Sequence, residues 1–361
     1  MSKVVIIGCG IIGATIAYEL SLIPELNVTV LEQKSPAQGA TSAALGVMMG
    51  IISYKVKGSA WRLRQNSMQR YETLIPELEK SLGRKIPFNR QGILLLCLEG
   101  ENLATWEELA AVRRSQGFSL EIWDLEKVKT NCPQLNLDKV IAGVYSPQDR
   151  QIDPTVLTLA LVDAATKNGV NFQFGAEVSG IEPLSTSTGW QLKNQNGNLE
   201  CDWLVLASGL GSSLLTKSLL HHIDIRPVLG QALHLRLDRP LGNPDFQPAI
   251  TGNDVHIVPV SGGDYWIGAT VEFPAEDYQV EPDASRLELV RQEAIALCPA
   301  LANATIIKSW FGLRPRPEGR PAPVIGNLPG YSNILLATGH YRNGILLAPA
   351  TAQAIREAIV N

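Results

Sequence analysis

Three glycines among the first thirteen residues leave this chain few folding choices. Gly8, Gly10 and Gly13 form G-x-G-x-x-G, directly after the apolar run Val4-Val5-Ile6-Ile7 and directly before a helical stretch over 14–22. A short, wholly apolar run is the pattern of a buried parallel strand. In the turn that follows, Gly8 permits the sharp bend, Gly10 lets a pyrophosphate approach the backbone, and Gly13 lets the helix close on the strand. The helix then turns its N-terminal amides, Ile12 among them, toward the phosphates. A second strand over 27–31 ends in Glu32, nineteen positions after Gly13, where a carboxylate can accept from ribose hydroxyls. Residues 4–23 are apolar enough to suggest a membrane or signal segment. Three glycines, Glu19, the single preceding Lys3 and the lack of a small-residue cleavage site argue against it.

At 361 residues the chain has room for two domains. A formal net charge of -4, with no basic tract and no interleaving of aromatic and basic residues, excludes nucleic acid as a partner. Cys9, Cys97, Cys132, Cys201 and Cys298 are odd in number and scattered, without a C-x-x-C pair, which reads as reduced thiols in a cytoplasmic protein. The neighbours His221 and His222 read as a solvated loop, and no residue set has the spacing of a metal site.

Gln33 opens a polar segment that leads to Ala40-Thr41-Ser42-Ala43-Ala44-Leu45-Gly46. Such a run of small residues could be a tightly packed helix start, but following Glu32 it reads as a chain passing close to a cofactor's phosphates and ribityl arm, with the Thr41 and Ser42 hydroxyls at hand. A long helix is predicted over 60–82, with Pro76 its weak point. A strand over 91–98 and a helix over 101–116 then form an inserted region. Asp153 as N-cap and Pro154 as first helical residue start the next helix. It leads to a strand over 170–174, to Val178 and an extended pair, and to the buried strand 203–206 that exits through Ala207-Ser208-Gly209. From Arg226 the texture changes to alternating strands over 230–237, 255–260 and 265–268, followed by a helix over 284–297. This predicts an antiparallel sheet. The end of the chain holds a strand over 310–317 carrying Arg314, a buried strand over 333–339, and the loop His340-Tyr341-Arg342-Asn343-Gly344 opening a helix from Ile345 and Leu346 onward.

These stretches, the last of them most specifically, resemble the D-amino-acid oxidase superfamily of FAD-dependent oxidoreductases, and within it the glycine oxidases of thiamine biosynthesis. The resemblance implies an α/β fold: a Rossmann-like FAD-binding domain split over 1–80, 145–220 and 311–361. An α+β substrate domain with a mostly antiparallel sheet would occupy 81–144 and 221–310. FAD would be held non-covalently by Gly8, Gly10, Ile12, Gly13, Glu32 and Gln33, by Thr41, Ser42, Ala43, Ala44 and Gly46, and by Val178, Ser208 and Gly209. Arg342, Asn343, Gly344, Ile345 and Leu346 would complete the envelope.

Arg314 falls where the family binds the substrate carboxylate, and Arg342 lies beside the flavin. His256 stands where glycine oxidases carry a tyrosine, Val260 where they carry an arginine, and Met48-Met49 in place of smaller residues. The implied activity removes a hydride from the α-carbon of glycine, sarcosine or a small D-amino acid, with no side-chain base and with oxygen reduced to peroxide. The alternatives are a dehydrogenase passing electrons to a quinone or carrier, and a flavin-binding regulatory protein without turnover. Relatives are often homo-oligomers, and the chain's last residues read as an end without a fused thiazole-synthesis domain.

Overall fold

The computed structural model describes residues 1–184, 188–195, 197–275 and 279–360. It is a mixed α/β structure built around two large sheets. The first has six strands in the order Val324–Asn327, Ile334–Thr338, Trp203–Leu206, Ser2–Ile7, Leu26–Glu32, Asn171–Phe174. All are parallel except Val324–Asn327. Ser2–Ile7 sits at the switch point, with Ile7 opposite Leu206 on one side and Leu31 on the other. The turns after these strands therefore leave the same edge of the sheet together.

Helices cover this sheet, and Ile11–Ser21 among them is buried on nearly every side. Ile11–Ser21 packs against both Pro154–Lys167 and Gly344–Val360. Asp153 caps Pro154–Lys167 as predicted, accepting from the amides of Thr155 and Val156. Gly58–Leu82 runs unbroken through Pro76, since its buried face of Trp61, Met68, Tyr71, Leu74, Ile75 and Leu78 outweighs one missing hydrogen bond. Beyond Asn171–Phe174, where an extended pair was expected, Val178–Pro183, Trp190–Asn194 and Gly197–Cys201 form a three-stranded antiparallel sheet.

The second large sheet has eight strands: Thr305–Pro317, Ile225–Arg236, Asp264–Gly268, Val255–Ser261, Ala249–Gly252, Ile93–Leu98, Val140–Ser146 and Glu121–Trp123, in that order. Every pairing is antiparallel except that of Ala249–Gly252 with Ile93–Leu98. Two of the expected boundaries move. Residues 311–317 belong to this sheet, because Thr305–Pro317 pairs along its length with Ile225–Arg236, Gly312 opposite Gly230 and Arg314 opposite Val228. Likewise Tyr145 and Ser146 finish a strand of the same sheet. All five cysteines are free and buried. Among the described residues, no helix is long and apolar enough to cross a membrane.

Candidate active site

The G-x-G-x-x-G turn is built so tightly that side chains are excluded. Gly8 has φ +105°, and a Cβ there would stand 2.6 Å from the Ala207 carbonyl oxygen. At Gly13 a Cβ would stand 1.9 Å from the Gly8 oxygen, backbone against backbone. Gly10 meets only the Thr41 hydroxyl, at 3.0 Å. That hydroxyl accepts from the Ile11 amide at 3.0 Å, and the helical ladder begins with Ala14 N–H to Gly10 O. The amides of Ile12 and Gly13 therefore stand ahead of the ladder, as an anionic group requires.

Glu32 is fixed beside the turn. Its carboxylate accepts from the Cys9 amide at 2.8 Å and the Lys34 amide at 2.9 Å. Burial, with Glu32 adding to it, pushes the Cys9 thiol up to about 12, so Cys9 stays a thiol. Gln33 next to it is exposed. Ala176 donates to the Glu32 carbonyl, which brings Val178 to the same end of the sheet.

The small-residue segment plays more than one part. Thr41 is buried and caps the first helix; Ser42 is exposed and donates to the Gly39 carbonyl. Ala43 accepts from the Trp310 indole at 3.1 Å. Ala44 is the extended residue ending the short helix Ala40–Ala43. Gly46 is a packing position, because a Cβ there would strike the Ile152 carbonyl at 1.7 Å.

On the far side of the switch point, Ser208 and Gly209 join the C-terminal loop through hydroxyls. Ser208 lies 3.1 Å from Ser212, which donates to Thr338, which donates to the Gly209 carbonyl. Tyr341 has φ +52°, the left-handed region that a side chain disfavours, and Asn343 donates to the His340 carbonyl before Gly344 opens the last helix. Ile345 and Leu346 are buried, and the Ile345 carbonyl accepts from Tyr71.

Arg314 projects from the edge strand of the eight-stranded sheet. Its Nη1 donates to the Leu229 carbonyl and its Nη2 to the Thr270 carbonyl, each at 3.0 Å. The guanidinium lies flat over Gly230, where a Cβ would stand 2.1 Å from Nη2. Burial, reinforced by the charge of Arg342, lowers the Arg314 pKa, while Tyr341 and Glu272 oppose the shift. His256 feels both arginines as well. Burial first, then Arg342 and Arg314, push its pKa down to about 4. Its Nδ1 is out of contact with solvent and has no hydrogen-bond partner. Arg342 itself is exposed. Arg314, Arg342 and His256 thus gather at one place, and His221 and His222 are exposed loop residues apart from it.

A parallel sheet with a dinucleotide cradle, joined to a second sheet presenting a fixed arginine, defines a dinucleotide-binding protein of the oxidoreductase class. Residues 3–358 match the family DAO, FAD dependent oxidoreductase, and the chain belongs to it. It is an FAD-dependent oxidoreductase, and its Gly8–Gly13 turn has no room for side chains at Gly8 and Gly13. It is similar to the bifunctional protein ThiO/ThiG of Synechocystis sp., 34% identical over 365 residues, but spans only 52% of that relative. The glycine oxidase of Bacillus subtilis is 29% identical over 361 residues, covering 99% of this chain and 93% of that one. The crystal structure of glycine oxidase from Bacillus cereus superposes with a TM-score of 0.87 at 25% identity, over 99% of this chain and 95% of the other.

Sequence reasoning missed Leu229, Gly230, Thr270 and Glu272. Gly230 stood at the start of the predicted strand over 230–237, and only the observed strand Ile225–Arg236 places it in a strand interior, where a glycine marks a close approach. The others carried no signal, because they join Arg314 only through strand pairing.

Proposed function

We propose that the protein oxidises the Cα–N bond of a small amino acid or secondary amine, with glycine, sarcosine and small D-amino acids foremost, and passes the electrons to oxygen to give hydrogen peroxide. The observation that carries this reading is the Arg314 guanidinium. It is held flat by two backbone carbonyls, and among the described residues no carboxylate pairs with it. Its remaining N–H groups suit a carboxylate in two parallel charge-assisted hydrogen bonds.

The chain's own residues would do the positioning. The Gly8–Gly13 turn, Glu32 and the helix opening at Gly344 would hold the cofactor. FAD supplies the two-electron acceptor that takes a hydride from the substrate. Arg314 anchors the carboxylate and so fixes the α-carbon. Two neighbouring guanidiniums disfavour an ammonium group, which keeps the bound amine neutral with its lone pair free. The Cα–H bond then breaks with its electron pair leaving carbon, the nitrogen lone pair forms the C=N bond, and water hydrolyses the iminium to 2-oxo acid and ammonia or amine. His256 stays neutral at physiological pH and offers its unpartnered Nδ1 to the substrate.

The test is an anaerobic titration of the purified holoprotein with glycine, sarcosine, D-alanine and D-proline, followed by the flavin absorbance. Bleaching by one of them supports the reading, and peroxide release on readmitting air separates an oxidase from a dehydrogenase. In Arg314→Ala the KM for that substrate should rise by about 10²-fold or more, the loss of two hydrogen bonds to a charged group. No bleaching by any of the four, or an unchanged KM in the variant, refutes it.

A further inference from the structure

We infer that Glu272 is a positioning residue for Arg314, a buried carboxylate that holds both backbone acceptors of the guanidinium and supplies its counter-charge from one residue away. This rests on the reading of Arg314 as the carboxylate anchor.

Glu272 is 4% exposed. Its Oε1 accepts from the Thr270 hydroxyl at 2.5 Å and from Gln231 Nε2 at 2.9 Å, and its Oε2 accepts from the Asp283 amide at 3.1 Å. Among the described residues no cation lies within ion-pair distance of it. A buried carboxylate without a cation is costly, even when hydrogen-bonded, so its presence needs a reason.

The reason is in the connections. Thr270, whose carbonyl accepts from Arg314 Nη2, is held by its hydroxyl to Glu272 and by two hydrogen bonds to the Gln231 backbone. Leu229, whose carbonyl accepts from Arg314 Nη1, exchanges both backbone hydrogen bonds with Glu272, at 2.9 and 3.0 Å. Glu272 therefore ties down one acceptor of the guanidinium by its side chain and the other by its backbone.

The placement also has a chemical logic. Arg314 lies beside Arg342, and two like charges together need a negative one nearby. A carboxylate bonded directly to Arg314 would occupy the N–H groups that the substrate must use. Set behind Thr270, Glu272 offsets the charge and leaves those groups free.

Glu272→Gln keeps the size of the side chain but removes the charge and turns an NH2 group toward at least one of its donors, the Asp283 amide on one side or Thr270 and Gln231 on the other. The probe is sodium acetate titrated into the holoprotein, read as the perturbation of the flavin absorbance. The KM and kcat for the amino acid that bleaches the flavin are measured alongside. The expected result is a rise of about tenfold in both the acetate Kd and the KM, the equivalent of one charge-assisted hydrogen bond, with kcat within about threefold of the parent. Thr270→Val, which cuts the hydroxyl link and leaves the carboxylate, should move both constants in the same direction. It decides the matter if Glu272→Gln does not fold. Arg314→Ala is run in parallel. If it abolishes acetate binding while Glu272→Gln and Thr270→Val bind acetate like the parent, Glu272 only supports the fold and the inference is wrong. If Arg314→Ala itself binds acetate normally, the anchor reading fails and takes the inference with it.

Discussion

Gly230→Ala isolates the geometry of Arg314 from its chemistry. A methyl group there would lie 2.1 Å from Nη2 and 2.4 Å from both Cζ and Nη1. Ordinary contact between such atoms is about 3.5–4 Å, so something must move by more than about 1 Å. Gly230 does not use the left-handed region, and the atoms it would meet are the end of a flexible side chain, so the guanidinium gives way and the strand does not. Moving it breaks the hydrogen bonds to Leu229 and Thr270, each worth about 1.5–3 kcal/mol net where no new partner replaces it. A misplacement of about 1 Å in a positioning group costs on the order of 10²-fold. The variant should therefore bind FAD normally and unfold within a few degrees of the parent. Its kcat/KM for a carboxylated substrate should fall by about 10²-fold, mostly through KM. Steady-state kinetics and thermal unfolding followed by flavin fluorescence measure both. Gly312→Ala is the control, since its Cβ would stand 2.2 Å from that of Ala43 and should disturb packing and FAD retention first. A Gly230→Ala protein with KM within threefold of the parent would show that the guanidinium is not held as described.

Gly13→Ala sets a methyl group 1.9 Å from a backbone oxygen that cannot yield, so the purified protein should come off the column without flavin and fail to regain it from added FAD. A yellow, fully loaded variant would contradict the reading of the cradle. Stability should also depend on pH through two histidines. Burial, joined at His256 by the Arg342 and Arg314 charges, depresses His256 to about 4, and burial depresses His340 to about 3, whereas both titrate near 6.5 once unfolded. The unfolded chain then binds protons that the folded one refuses, so stability is full above about pH 6.5 and is lost as pH falls toward 4, by about 3 kcal/mol for each. Urea unfolding at pH 7 and pH 4.5 measures the slope, and His256→Phe should remove one share of it. An unchanged slope in that variant would show that His256 is not held neutral.

How much of this was legible in the sequence depended on how local each feature is. The glycine turn, its helix and Glu32 lie within thirty-two residues, and each glycine meets a neighbour brought to it by the adjoining turn or strand, so the spacing alone announced the cradle. The Asp153-Pro154 helix start was equally plain, because a cap acts on its own next residues. Arg314 was visible only as an arginine between prolines. What fixes it comes from Leu229, Gly230, Thr270 and Glu272, joined to it by a pairing that alternation does not specify. The run from Thr305 to Ser309 was missed for a related reason. It lies on the sheet edge and every residue in it is exposed, so it shows no period of two.

The segment 41–43 connects the legible half to the illegible one. Thr41 accepts from the first amide of the cradle helix. Two residues later the Ala43 carbonyl accepts from Trp310, and a Cβ on Gly312 would have no room beside the Ala43 methyl. Trp310 and Gly312 lie on the strand that carries Arg314. One short segment is therefore in contact with both the N-terminal end of the cradle helix and the strand that carries Arg314. The run of small residues suited two readings in the sequence, tight packing or close approach to a cofactor. The sequence favoured the second, and the contacts in the structure are those of the first. Small side chains are required there because the two sheets meet through a backbone and a methyl group, and a larger residue at 43 would push the strand bearing Arg314 away from the cradle.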